Sequence, residues 1–143
     1  MPNVEGHGPA EPQRVSILTQ GPYLIASIHT ALDDGQLQRF QRDVLDLVGR
    51  QRSRGIVIDV ATLDVLDSFA TTTLTDLAQM ARLRGAETVI VGITPELAIA
   101  MVQLALKMDT VRTALDLEEG IERLAAVTGN GHSAASVEKA TGL

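Results

Sequence analysis

GIVIDVATLDVLDSFATTTLTDLAQMARLRGA, residues Gly55 to Ala86, changes its hydrophobic period partway along. Ile56, Val57, Ile58 and Val60 form a short β-branched run, the signature of a strand buried on both faces. From Ala70 the apolar residues recur at Leu74, Leu77, Ala78 and Ala81, which is helical spacing. Asp67 suits the N-cap, because a carboxylate there accepts a bond from an orphan amide of the first turn. Gly85 suits the position just past the helix, with Arg82 and Arg84 in the last turn where cations complement the dipole. The segment therefore reads as strand, short loop and helix, with the Ser68 hydroxyl at the positive end of the helix. The residues alone leave two readings of Asp67-Ser68: a capping pair, or a displayed serine.

The flanking chain extends the alternation. Val15–Thr19 and Tyr23–Ile28 predict two strands joined by Gln20-Gly21-Pro22, a link short enough to require an antiparallel hairpin. Asp33 with Gln36 predicts a capping box, followed by a helix with Leu37, Phe40, Val44, Leu47 and Val48 on one face, ending between Gly49 and Ser53. Downstream, Glu87–Ile93 predicts a buried strand. Thr94 and Pro95 then start a helix to about Lys107 that is apolar nearly all round, so its outer face is either covered or a docking surface. Val111–Leu115 predicts an edge strand, and Asp116 with Glu119 starts a last helix striped by Leu117, Ile121 and Leu124. The order β-β-α-β-α-β-α-β-α predicts an α/β fold: a mixed sheet with an N-terminal hairpin and later βα units, flanked by helices. Residues 1–13 are expected to be a disordered arm, 14–128 one domain, and 129–143 a flexible tail.

Composition removes whole classes of function. The 143 residues carry a net charge of −6 and only 2% aromatics, the wrong sign for a phosphate backbone and too few rings for base stacking. Cysteine is absent, so no disulfide, thiolate zinc site or cysteine nucleophile is available. No phosphate-binding glycine motif or nucleophile elbow is present, and no histidine pair has zinc spacing. His29, the one histidine in the expected domain, is not placed against Ser68 by anything in the sequence. No signal peptide or bilayer-length apolar run is found. The expectation is a cytoplasmic, non-enzymatic protein with no cofactor, no metal, no nucleic acid and no membrane partner.

Five segments, taken in order, resemble the STAS domain family of anti-sigma-factor antagonists and sulfate-transporter tails. They are Gly55-Ile-Val-Ile-Asp59, Leu63-Asp-Val-Leu-Asp67-Ser68-Phe69, Met80-Ala-Arg-Leu-Arg-Gly85-Ala86, Val89-Ile-Val-Gly92-Ile-Thr-Pro95 and Val111-Arg-Thr-Ala-Leu115. The likeness runs from about Val15 to Val127 and is strongest to the small stressosome scaffolds of the family. It implies that Ser68 is phosphorylated by a partner serine kinase, which the unmodified form holds and the phosphorylated form releases. It also implies a kinase-facing surface at Asp64, Asp67, Ser68, Phe69 and Thr71, and self-association with paralogous STAS proteins in a large stress-sensing complex. Thr71, Thr72 and Thr73 are spare hydroxyls inside the expected helix, where a structural role leads, and Thr71 is kept as a second acceptor. Many antagonists have glycine soon after the serine. Here Phe69-Ala70-Thr71 follows, which favours the scaffold over direct antagonism of an anti-sigma kinase. A different class of switch, the aspartate-phosphorylated receiver, would use Asp59 as acceptor, Asp33-Asp34 as its acidic pair, Thr94 as its hydroxyl and Lys107 as its lysine.

Overall fold

The computed structural model describes residues 14–104 and 111–129. The expected disordered arm, all of the expected tail after Gly129, and the predicted end of the third helix near Lys107 lie outside these residues. Nine elements follow the predicted order: β1 Val15–Gln20, β2 Tyr23–Ile28, α1 Asp34–Gln51, β3 Gly55–Asp59, α2 Ser68–Leu83, β4 Glu87–Val91, α3 Pro95–Gln103, β5 Arg112–Ala114 and α4 Leu117–Thr128. The sheet order is β1-β2-β3-β4-β5. β1 pairs antiparallel to β2 across Gly21-Pro22, and every later pair is parallel. This is the expected mixed sheet, and the two-residue hairpin link explains its single antiparallel pair.

Alternation along the strands sends two sets of side chains to opposite faces. Leu24, Ala26, Ile28, Ile56, Ile58 and Ile90 meet the apolar stripes of α1 and α2, together with Leu97 of α3. The opposite face, Tyr23, Ile25, Val57, Val89 and Val91, is covered by α4 through Leu124 and Ile121. A Cβ on Gly120 would stand 2.7 Å from Val91 Cγ1, so a glycine lets α4 sit close on the sheet. Leu117, which the sequence places on the apolar stripe, stays exposed. The buried face of α4 is Gly120, Leu124 and Ala125.

Capping chemistry sets the helix starts. Asp33 and Gln36 make the full capping box, and the Thr94 hydroxyl accepts from Leu97 N at 3.2 Å. At α4 the Asp116 side chain accepts from Glu119 N at 2.9 Å. The Glu119 carboxylate reaches Leu115 N at 2.6 Å rather than the cap's own amide. β4 stops two residues before the predicted Ile93, because Gly92 takes φ +81° and turns the chain out of the sheet.

Candidate functional site

Asp67 and Ser68 lie beyond the carboxyl end of β3, at the start of α2. Asp67 is extended, and its Oδ1 accepts from Ala70 N at 2.8 Å while its carbonyl accepts from Thr71 N at 3.0 Å. The capping reading of Asp67 is therefore what the geometry shows. Ser68 is the first helical residue and is exposed, so the displayed serine and the cap coexist in one turn.

The loop from Val60 to Asp67 is tied down along its length. Val60 N donates to Val91 O at 3.0 Å and Leu63 N to Val60 O at 3.0 Å. The Asp59 carboxylate accepts from Ala61 N at 2.9 Å, a side-chain turn that bends the chain off the strand. Thr62 Oγ1 donates to His29 O at 3.2 Å, linking this loop to the end of β2. Leu63 and Leu66 are buried in the main core. Gly92 packs directly on Ala61: a Cβ at position 92 would lie 2.9 Å from the Ala61 Cα and N. The helix start is thus held by two neighbouring loops and two leucine anchors, an arrangement that presents Ser68 on a rigid support.

Of the residues assigned to a partner surface, Asp64, Asp67, Ser68 and Phe69 are exposed together. Thr71 is not part of that surface. It is 2% exposed, and its hydroxyl donates to Asp67 O at 3.0 Å. One helical turn on from Asp67, it faces the core and satisfies a backbone carbonyl. Val65, which sequence reasoning did not single out, is 68% exposed among these residues. Its apolar character gave no hint of this, because the alternation of buried Leu63 and Leu66 with exposed neighbours follows the loop path and no regular period. Beside Asp67 a small apolar recess of about 60 Å³ opens between Val65, Leu66, Ala31 and Leu32. The segment Val60–Phe69 contains acidic side chains and no basic one, so this surface is anionic before any modification.

His29 has its Nε2 2.9 Å from Ser16 Oγ, across the hairpin. The receiver constellation does not assemble. Asp33 is occupied as the α1 cap, Thr94 caps α3, and Lys107 lies outside the described residues. Among the described residues no group of three or more His, Cys, Asp or Glu side chains could hold a metal ion. No helix among them is long and apolar enough to cross a membrane.

α3 separates into two faces. Leu97 and Met101 are buried, whereas Ile99 and Val102 are 58% and 78% exposed. Of the described apolar residues here, only Leu97 and Met101 enter the core, while Ala98, Ile99, Val102 and Leu104 are exposed.

Comparison with known proteins places these features in a family. RsbS from Moorella thermoacetica, solved as a serine-to-glutamate variant, superposes with a TM-score of 0.71 at 31% identity, covering 80% of this chain and 97% of that one. A chain from the molecular architecture of the stressosome, described as a signal integration and transduction hub, matches with a TM-score of 0.65 at 28% identity, covering 78% and 97%. RsbT co-antagonist protein RsbRA of Bacillus subtilis is 28% identical over 97 residues, which are 68% of this chain and 35% of RsbRA. The chain thus spans about a third of that relative's length. The fold is that of the anti-sigma-factor-antagonist type, with stressosome proteins among its structural neighbours. The STAS domain model matches residues 14–120, most of the described chain, and the protein belongs to the STAS domain family.

Proposed function

We propose that this protein is a non-catalytic scaffold of a stress-sensing assembly, which binds a serine kinase through the α2 start and releases it when Ser68 is phosphorylated. The observation that carries the reading is the exposed Ser68 at the first position of a helix whose cap and loop are fixed. A kinase supplies its own base and metal, so the acceptor needs only to be displayed. The phosphoryl group would bring a charge of about −1.5 to −2 to the amino end of α2, where the free backbone amides favour it. Asp67 and Asp64 oppose it, and the summed effect is a strongly anionic patch on an intact fold. Phe69 and Val65 supply the apolar contact that kinase binding needs, and the charge at Ser68 alters the middle of that surface. The likeness to stressosome chains supports assembly with related STAS proteins. The exposed Ile99 and Val102 of α3 offer one surface for it.

The test compares two variants. Ser68→Asp should melt within about 1 kcal/mol of the wild type, because an anion suits the first turn, yet bind the kinase more weakly. Ser68→Ala should bind at least as well as the wild type. Equal affinities for the two folded variants would remove charge as the switch. A collapsed melting curve for either would make Ser68 a structural residue only.

A further inference from the structure

The two edges of the sheet are built differently. β5 is three residues long, and Arg112 within it is paired with Glu87 at 3.0 Å, the short charged edge that natural sheets use against strand addition. β1, Val-Ser-Ile-Leu-Thr-Gln, is six residues long and carries no charge, no proline and no bulge in its one-to-one register with β2. The phase of the ladder follows from His29 N donating to Arg14 O, which makes Arg14, Ser16, Leu18 and Gln20 the residues bonded to β2. The amides and carbonyls of Val15, Ile17 and Thr19 therefore point to the outer edge, where no described strand pairs with them.

Beside this edge a groove of about 230 Å³ runs between β1 and α1. Val15, Ile17 and Phe40 line its base, and Arg39 and Asp43, one helical turn apart, form its outer wall. Both charged residues are exposed, and neither forms an ion pair among the described residues. On the other face of the strand Leu18 is 63% exposed.

We propose that a second copy of this chain occupies the β1 edge, pairing β1 antiparallel to its counterpart about a dyad at Ile17. That register sets Ile17 against the partner's Ile17 and Val15 against the partner's Thr19. All three outward residues then exchange both of their hydrogen bonds. Because the pair is symmetric, Leu18 falls opposite the partner's Ser16 and loses its open side. α1 lies over the β1–β2 end of the sheet, where Val15 and Ile17 pack on the same core as Phe40. Arg39, Phe40 and Asp43 of α1 line one groove with Val15 and Ile17 of β1, so a dyad at Ile17 sets the two copies of α1 side by side on the same face of the joined sheet. Arg39 and Asp43 both line the groove at this edge, so antiparallel copies of α1 set Arg39 against the partner's Asp43, and Asp43 against the partner's Arg39. The order basic then acidic along one helix is self-complementary only for a two-fold partner, which is why a second copy fits better than an unrelated strand. The proposal rests on the self-association in the function proposed above and names its surface. It does not depend on Ser68 or on the kinase.

The experiment is sedimentation equilibrium on the full chain alone, with charge reversals at the dyad. Arg39→Asp and Asp43→Arg each create like charges across the interface and should each raise the dimer dissociation constant about tenfold or more at low salt. Mixing the two variants restores both opposite-charge contacts and should give a heterodimer tighter than either homodimer. Thr19→Pro, which removes one outward amide and leaves the β1–β2 ladder intact, should weaken association with an unchanged circular dichroism spectrum. Dimers indifferent to all three changes, or lost only on Ile99→Lys, would move the interface to α3 and overturn the proposal. A wild-type chain that is monomeric at every concentration would overturn it as well, whatever the Ser68 variants do to kinase binding.

Discussion

Replacing Gly92 by alanine isolates the contact that holds the Ser68 loop in place. Gly92 has φ +81° and Gly85 has φ +90°, so a side chain meets nearly the same backbone penalty at both, about 1–2 kcal/mol. The surroundings differ. Nothing stands within 4 Å of a Cβ built at Gly85, whereas one at Gly92 would lie 2.7 Å from the Ala61 Cβ and 2.9 Å from its backbone. Backbone cannot swing aside as a flexible side chain can, so Gly92→Ala must push the β3–α2 loop away or strain β4. Overpacking of this kind costs about 1–3 kcal/mol beyond the shared backbone term. In urea, with a slope of about 1–2 kcal/mol per molar for a domain of this size, the Gly92→Ala midpoint should fall about 1 M below that of Gly85→Ala. Hydrogen exchange adds a local readout. The Ala70 and Thr71 amides, bonded to Asp67, should exchange faster in Gly92→Ala than in Gly85→Ala at matched global stability. Equal midpoints and equal exchange would refute the claim that the Gly92–Ala61 contact fixes the site.

Two further substitutions test the core and the cap. Thr88 is buried in β4 and its hydroxyl has no hydrogen-bond partner among the described residues, so Thr88→Val should stabilise the domain by about 1 kcal/mol in the same denaturation. Asp67→Ala removes the acceptor for Ala70 N and should cost about 1 kcal/mol, while Asp67→Asn keeps an acceptor and should cost only a few tenths. A thermal melt that ranks Asn with Ala would show that the charge of Asp67, rather than its hydrogen bond, starts α2.

Much of this fold was legible because local chemistry and tertiary packing agree. The β-branched run at Ile56–Ile58, the caps at Asp33, Asp67, Thr94 and Asp116, and the short Gly21-Pro22 link each specify one element or junction, and all appear where the residues put them. The differences arise where a long-range contact overrules a local pattern. Gly92 ends β4 early because the chain must pass over Ala61, and Leu117 leaves the stripe because α4 meets the sheet through Gly120 and Leu124. The site was legible as a position but not as a surface. Asp67-Ser68 marks a helix start by its chemistry. Which neighbours share that surface depends on how an irregular loop folds, so Val65 was missed, and of the two readings of Thr71 the structural one fits its buried hydroxyl. The free edge of β1 had no sequence signal beyond its missing charges, and it became visible only once the ladder phase was known.

The most direct test of the proposed Ser68 switch is phosphosite mapping of the intact protein after incubation with the proposed partner, a serine kinase, and ATP. The account predicts a single phosphate on Ser68, with Thr71 unmodified because its hydroxyl is buried and bonded to Asp67. It also predicts that the phosphorylated chain leaves the kinase while keeping a native melting curve. Clean modification at another residue with Ser68 untouched, or a Ser68-phosphorylated chain that still holds the kinase, would contradict it.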